Sequence, residues 1–188
     1  MHLDSVISEA AGRTGAVLHA VRPTDLAAPT PCVDWDVRTL VNHVLQVGSA
    51  LALAGRGGPV PSELWTAELI DAGFATRFDT DSAAARTAWA MPPAGPITLG
   101  TYEMPPGAVA SMLVTDLTIH GWDLARATGQ DYEPDPAAVE LTNRFMVEMA
   151  EQGRAMGIFA PPVPVAPDVG AFASVLAGSG RDPGWRPR

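Results

Sequence analysis

Asp116 and His120 stand four residues apart in the apolar stretch PGAVASMLVTDLTIHGWDLARA, and on a helix that spacing stacks them one turn apart on the same side. Stepping 100° per residue, Leu113, Leu117, His120, Leu124 and Ala127 form one stripe, with Asp116 on its edge. His43 lies beside a second stripe, made by Leu40, Val44, Val47 and Leu51. A buried carboxylate without a partner costs several kcal/mol, so Asp116 must be paired, hydrogen-bonded or metal-bound. If the two stripes face each other across a core, His43, Asp116 and His120 converge. Two imidazoles and a carboxylate suit a divalent transition metal with open positions. A plain His–Asp hydrogen bond without metal accounts for the Asp116–His120 pair equally well, and an isolated His43 would more often be a satisfied core histidine.

Other reactive side chains carry weaker signals. Asp123 follows His120 by about one turn and has two readings, an acceptor that orients His120 or a cap or ion pair with Arg126. Cys32 precedes the second stripe by a few residues; a fourth ligand or a nucleophile are its functional readings, a small apolar loop residue its bland one. Trp35 and Trp122 read as packing residues, Trp122 opposite His120. His2 and His19 read as solvated, and Gly129 as a helix stop.

The elements that must position these groups are mostly helical. Helical periodicity covers 3–21 and 37–54, the latter capped by Asp36. A weaker pattern covers 62–91, broken around Gly73 and again at DTDS, so that 82–91 is its firmer part. Residues 97–104 alternate like a short extended segment without an evident partner. The strongest helix spans 106–127, another spans 136–154 behind Asp135, and a last one spans 167–177. Four substantial helices and little strand predict an all-α bundle with long Pro/Gly-rich connections, in one domain over 1–188.

Composition limits the chemistry further. Twelve basic against 21 acidic residues leave a net charge of −9, which disfavours nucleic acid or an anionic membrane as partner. One cysteine excludes an internal disulfide and any multi-thiolate metal site. All basic residues are arginine, which excludes Schiff-base and P-loop lysine mechanisms. The N-terminus has no basic cluster before an apolar run, and no stretch approaches a membrane span, so a cytoplasmic location is expected. A small-molecule substrate is the expected partner, with a homodimer left open.

Three passages, TPCVDWDVRTLVNH (30–43), DLTIHGWDLARATGQ (116–130) and GRDPGW (180–185), resemble the actinobacterial branch of the DinB-like metal-binding superfamily. That branch is related to the metal-binding domain of mycothiol-dependent maleylpyruvate isomerase. The resemblance implies a four-helix bundle of DinB-like type. It also implies a metal held by His43, Asp116 and His120, the residues the helical stripes single out. Zinc is the preferred ion, nickel or iron the alternatives. In the isomerase the position of Asp116 is typically Glu, so this helix must approach the metal more closely or bind it differently. The resemblance places Cys32 in the motif that leads into a helix, which favours its structural reading, and GRDPGW reads as a C-terminal clasp. The isomerase carries a further C-terminal domain with a basic residue for its dicarboxylate; this chain reads as too short for one, which makes maleylpyruvate a poor substrate. The expected function is metal-dependent activation of a low-molecular-weight thiol, mycothiol by resemblance, for transfer or isomerisation. The alternatives are a non-catalytic metal-binding or stress protein, and metal-assisted hydrolysis or a specialised biosynthetic step.

Overall fold

The computed structural model describes residues 2–187. Its elements run α1 (Leu3–His19), α2 (Val37–Gly55), α3 (Phe74–Trp89), β1 (Ile97–Leu99), β2 (Tyr102–Met104), α4 (Pro106–Thr128), α5 (Pro136–Ala155) and α6 (Ala171–Gly178), with short 3-10 turns at Pro23–Asp25 and Ser62–Thr66. The chain is mostly helical, as expected; the described residues form six α-helices, five of them of 16 residues or more where four substantial ones were expected. Caps fix several ends. Asp36 accepts from the Thr39 amide at 2.8 Å, and Asp135 accepts from the Ala137 and Ala138 amides at 2.9 and 3.1 Å. Gly129 ends α4 at φ 71°, a conformation that carries no Cβ penalty in glycine.

Two expectations are corrected. The acid-rich DTDS does not interrupt a helix; α3 runs through it from Phe74. Its carboxylates are held from the neighbouring helices: Asp79 contacts the His19 ring at 2.7 Å and Asp81 accepts from Ser49 at 2.5 Å. Phe78, Ala85 and Trp89 are its buried residues. The extended segment 97–104 contains its own partner. It folds back as an antiparallel hairpin, with Ile97 opposite Met104 and Leu99 opposite Tyr102, turning at Gly100 with φ 60°.

Helices α1 and α2 each pack against α3 and α4, and α5 packs against α4 and α6. The main core lies among α1 to α4 around Leu18, Leu40, Leu51, Leu113, Leu117 and Leu124. A smaller cluster, Ile119, Trp122, Met146, Ala150, Val175 and Leu176, sits between α4, α5 and α6. Helix α4 is therefore covered on both sides, which holds the residues between Asp116 and Asp123 in fixed positions. Among the described residues no helix is long and apolar enough to cross a membrane.

Candidate metal centre

The expected convergence occurs. Helix α2 brings His43, and α4 brings Asp116 and His120, to a site where one donor atom from each lies within 4.8 Å of the others. The imidazoles stand edge to face with ring centroids 5.0 Å apart. His120 Nε2 is 3.9 Å from Asp116 Oδ1. Donors around a metal at about 2 Å lie roughly 3–4 Å from each other, so this spacing is on the right scale. The shorter Asp116 side chain reaches the site.

The other ring nitrogen of His120 decides what the first can do. Nδ1 lies 2.9 Å from Asp123 Oδ2, and an ionised carboxylate only accepts. Nδ1 therefore donates, and Nε2 is the ring nitrogen that faces Asp116. This is the arrangement by which carboxylates orient metal-binding imidazoles. Asp123 orients His120 and does not pair with Arg126, whose guanidinium lies 5.6 Å over the Trp122 ring. Trp122 packs in the smaller cluster, as its position opposite His120 implied.

The remaining donors have matching electrostatics. Burial pushes the His43 imidazole down to about 3, aided by the charges of His120 and Arg181 and opposed by a hydrogen bond to Gln46. Its lone pair is thus free at neutral pH. Burial raises the Asp116 carboxyl above its ordinary range, against the pull of His120 and Arg181, although the side chain keeps 31% of its surface open. A carboxylate that is costly to ionise unaided is one that a cation would stabilise. The donor set and the fixed orientation of the His120 ring fit a divalent transition metal.

Several residues at the site were not singled out for it. Trp35, read as packing, stacks on His120 at 5.7 Å and meets His43 edge-on at 5.1 Å. Trp65 stands 6.2 Å from His43. The segment bearing Trp65 is strapped to α2: Asn42 accepts from the Leu69 and Ile70 amides at 2.6 and 3.1 Å, and Asn42 and Gln46 both donate to the Ala67 carbonyl. Arg181 arrives from the far end of the chain. Its Nη2 donates to Asp123 Oδ2 at 3.2 Å and approaches Cys32 Sγ at 3.6 Å. Nothing local in GRDPGW signals that contact beyond a cation beside turn residues.

Cys32 is thus more than an apolar loop residue, since a buried guanidinium faces its sulfur. Burial nevertheless pushes the thiol up to about 11, outweighing Arg181. Thr30 anchors the loop by donating to the Trp35 carbonyl at 2.9 Å. His2 and His19 are exposed and distant in role, His19 paired with Asp79.

The model of the mycothiol maleylpyruvate isomerase N-terminal domain matches residues 7–125, a span that contains His43, Asp116, His120 and Asp123. Two uncharacterized proteins of Mycobacterium tuberculosis, from strains CDC 1551 / Oshkosh and H37Rv, are each 31% identical over 131 residues. The match covers 64% of this chain and 64% of each relative's length. No solved structure matches significantly. With most of the chain inside the matched span, this protein belongs to the mycothiol maleylpyruvate isomerase N-terminal domain family, a mycothiol-related group of metal-binding domains.

Proposed function

We propose that the protein is a metal-dependent enzyme that activates a low-molecular-weight thiol, of the mycothiol type, for transfer to or isomerisation of a small molecule. His43, Asp116 and His120 would hold one divalent metal, zinc by preference. The observation that carries this reading is the triad itself: three donors from two helices within 4.8 Å, one of them oriented by Asp123. When bound, the metal would supply the Lewis acidity that keeps a thiol sulfur deprotonated near neutral pH.

The chain's own residues support that chemistry. Asp123 accepts from Nδ1 of His120 and so holds the ring with Nε2 turned toward Asp116. His43 stays neutral because its surroundings disfavour the imidazolium. Trp35 and Trp65 flank the imidazoles. Cys32 remains a thiol at neutral pH. With no lysine, and with Cys32 held as a thiol, the chain supplies neither an amine nor a thiolate nucleophile at neutral pH, which is compatible with a thiol brought by a cosubstrate.

Cobalt-substituted protein tests the reading, because a sulfur ligand adds a charge-transfer band in the near ultraviolet. Mycothiol is expected to produce the band with wild-type and Cys32→Ser protein, and not with Asp116→Ala. His120→Ala should lose most of its metal by elemental analysis. Protein that takes up cobalt yet shows no band with mycothiol or another cellular thiol would overturn the thiol assignment. Protein that binds no metal after reconstitution would overturn the triad.

A further inference from the structure

Arg181 lies 58 residues beyond Asp123 and outside the span shared with the family. Its side chain is only 9% exposed, yet it is a cation among apolar helices, and its partners there are few. Nη2 donates to Asp123 Oδ2, the same oxygen that accepts from His120 Nδ1. Asp123 is fully buried, and its other oxygen, Oδ1, finds no hydrogen-bond partner among the described protein groups. The orientation of that carboxylate thus rests on one oxygen with two donors, one of which is the imidazole it must orient.

We infer that Arg181 is a positioning residue for the metal centre: it pins Asp123 from the C-terminal segment, so that Asp123 holds His120 with Nδ1 protonated and Nε2 presented to Asp116 and His43. A carboxylate bonded only to His120 would turn with the ring; bonded to both, it is a fixed reference. The approach of Arg181 is itself fixed. The Arg181 amide donates to the Leu176 carbonyl at 2.9 Å, Nη1 donates to the Ser179 carbonyl at 3.1 Å, and Gly180 lies at φ 88° where an added Cβ would meet Ala160 at 2.5 Å. Only glycine allows the backbone that turn and that contact together. The clasp assigned to GRDPGW therefore acts on the chemistry of α4. The second readout below depends on the metal reading; the first does not.

The test uses full-length, metal-free protein labelled with nitrogen-15 histidine, in which ring-nitrogen shifts report the tautomer of His120. Wild type is expected to show one tautomer, Nδ1 protonated. Arg181→Gln is expected to show a mixture and to bind cobalt about tenfold or more weakly in chelator competition, as losses of such supporting contacts do. Arg181→Lys, which keeps a cation against Asp123, should restore the wild-type pattern, a rescue that a purely structural role would not produce. Should Arg181→Gln, which removes the cation, not fold, Arg181→Met removes the cation and its donors together. A folded Gln or Met variant with the wild-type tautomer and cobalt affinity would overturn the inference, as would wild-type His120 protonated at Nε2. If wild type binds no cobalt while its tautomer still depends on Arg181, the metal reading fails and the positioning role stands.

Discussion

At Cys32 the loop motif and the tertiary surroundings pull in opposite directions. Arg181 approaches the sulfur at 3.6 Å and favours the thiolate, while burial and the carboxylates of Asp123, Asp116 and Asp34 disfavour it. Burial wins, and the thiol is pushed from 9.0 to about 11. Two units correspond to ~100-fold less thiolate at pH 8, and alkylation follows the thiolate. Native metal-free protein should therefore react with iodoacetamide on the order of a hundred times more slowly than protein unfolded in urea, followed by mass spectrometry. Equal rates would mean that burial does not suppress the thiolate, and a faster native protein would mark Cys32 as an activated thiol, so that the nucleophile need not be external. His120 shows the complementary case, an imidazole whose usefulness is set by what its second nitrogen touches.

Helix α4 carries two of the three donors, and its position depends on close contact at Gly121, the residue after His120. An added Cβ there would lie 2.8 Å from Thr14 Oγ1 and 2.8 Å from the Tyr132 hydroxyl. Thr14 sits in α1 and donates to the Leu117 carbonyl at 3.0 Å, so the two helices touch through backbone as well as side chains. Gly121→Ala should destabilise the protein by about 1–3 kcal/mol, the usual range for overpacking, read as a lower urea midpoint. It should also alter the visible cobalt spectrum, because α4 can relieve the clash only by moving His120. A variant with unchanged midpoint and spectrum would show that α1 gives way instead. Helix α3 illustrates a limit of local signals: an acidic run that reads as a turn becomes helix because His19 and Ser49 on other helices meet its carboxylates.

Over the whole molecule, the absence of lysine makes alkaline behaviour simple to read: two tyrosines, Cys32 and the arginines are the side chains that matter above pH 9. Tyr132, packed between α1 and α4, is pushed up from 10.0 to about 12 by burial, against its hydrogen bond with Thr14. The unfolded chain releases that proton near pH 10 while the folded chain retains it. Stability from this group is thus fully present below pH 10 and lost as pH rises toward 12. Two units set a ceiling of about 2–3 kcal/mol on the loss. Urea unfolding at a series of pH values should show this decline in wild type, with a shallower slope in Tyr132→Phe. Parallel slopes would remove Tyr132 from the account. Cys32 adds in the same direction, since its thiol is raised too.

Periodic and local features were legible in the order of residues alone. The stripes on 37–54 and 106–127 fixed which faces of α2 and α4 are buried, and the i,i+4 spacing fixed that Asp116 and His120 share a side. Asp36, Asp135 and Gly129 marked helix ends because capping is a matter of adjacent residues. The three passages that carry the family resemblance were also legible, and they pointed to the same triad. Tertiary structure decided the rest. The hairpin at 97–104 was hidden because each strand has only three residues, too few for a period to show. Trp35 and Trp65 stand at the imidazoles because Thr30 and Asn42 anchor their loops, bonds that depend on where each loop lies against α2. Arg181 reaches Asp123 across 58 residues of chain because the smaller cluster packs α5 and α6 onto α4. No periodicity encodes such a contact; it exists only after the chain has folded back and buried the charge beside its partner.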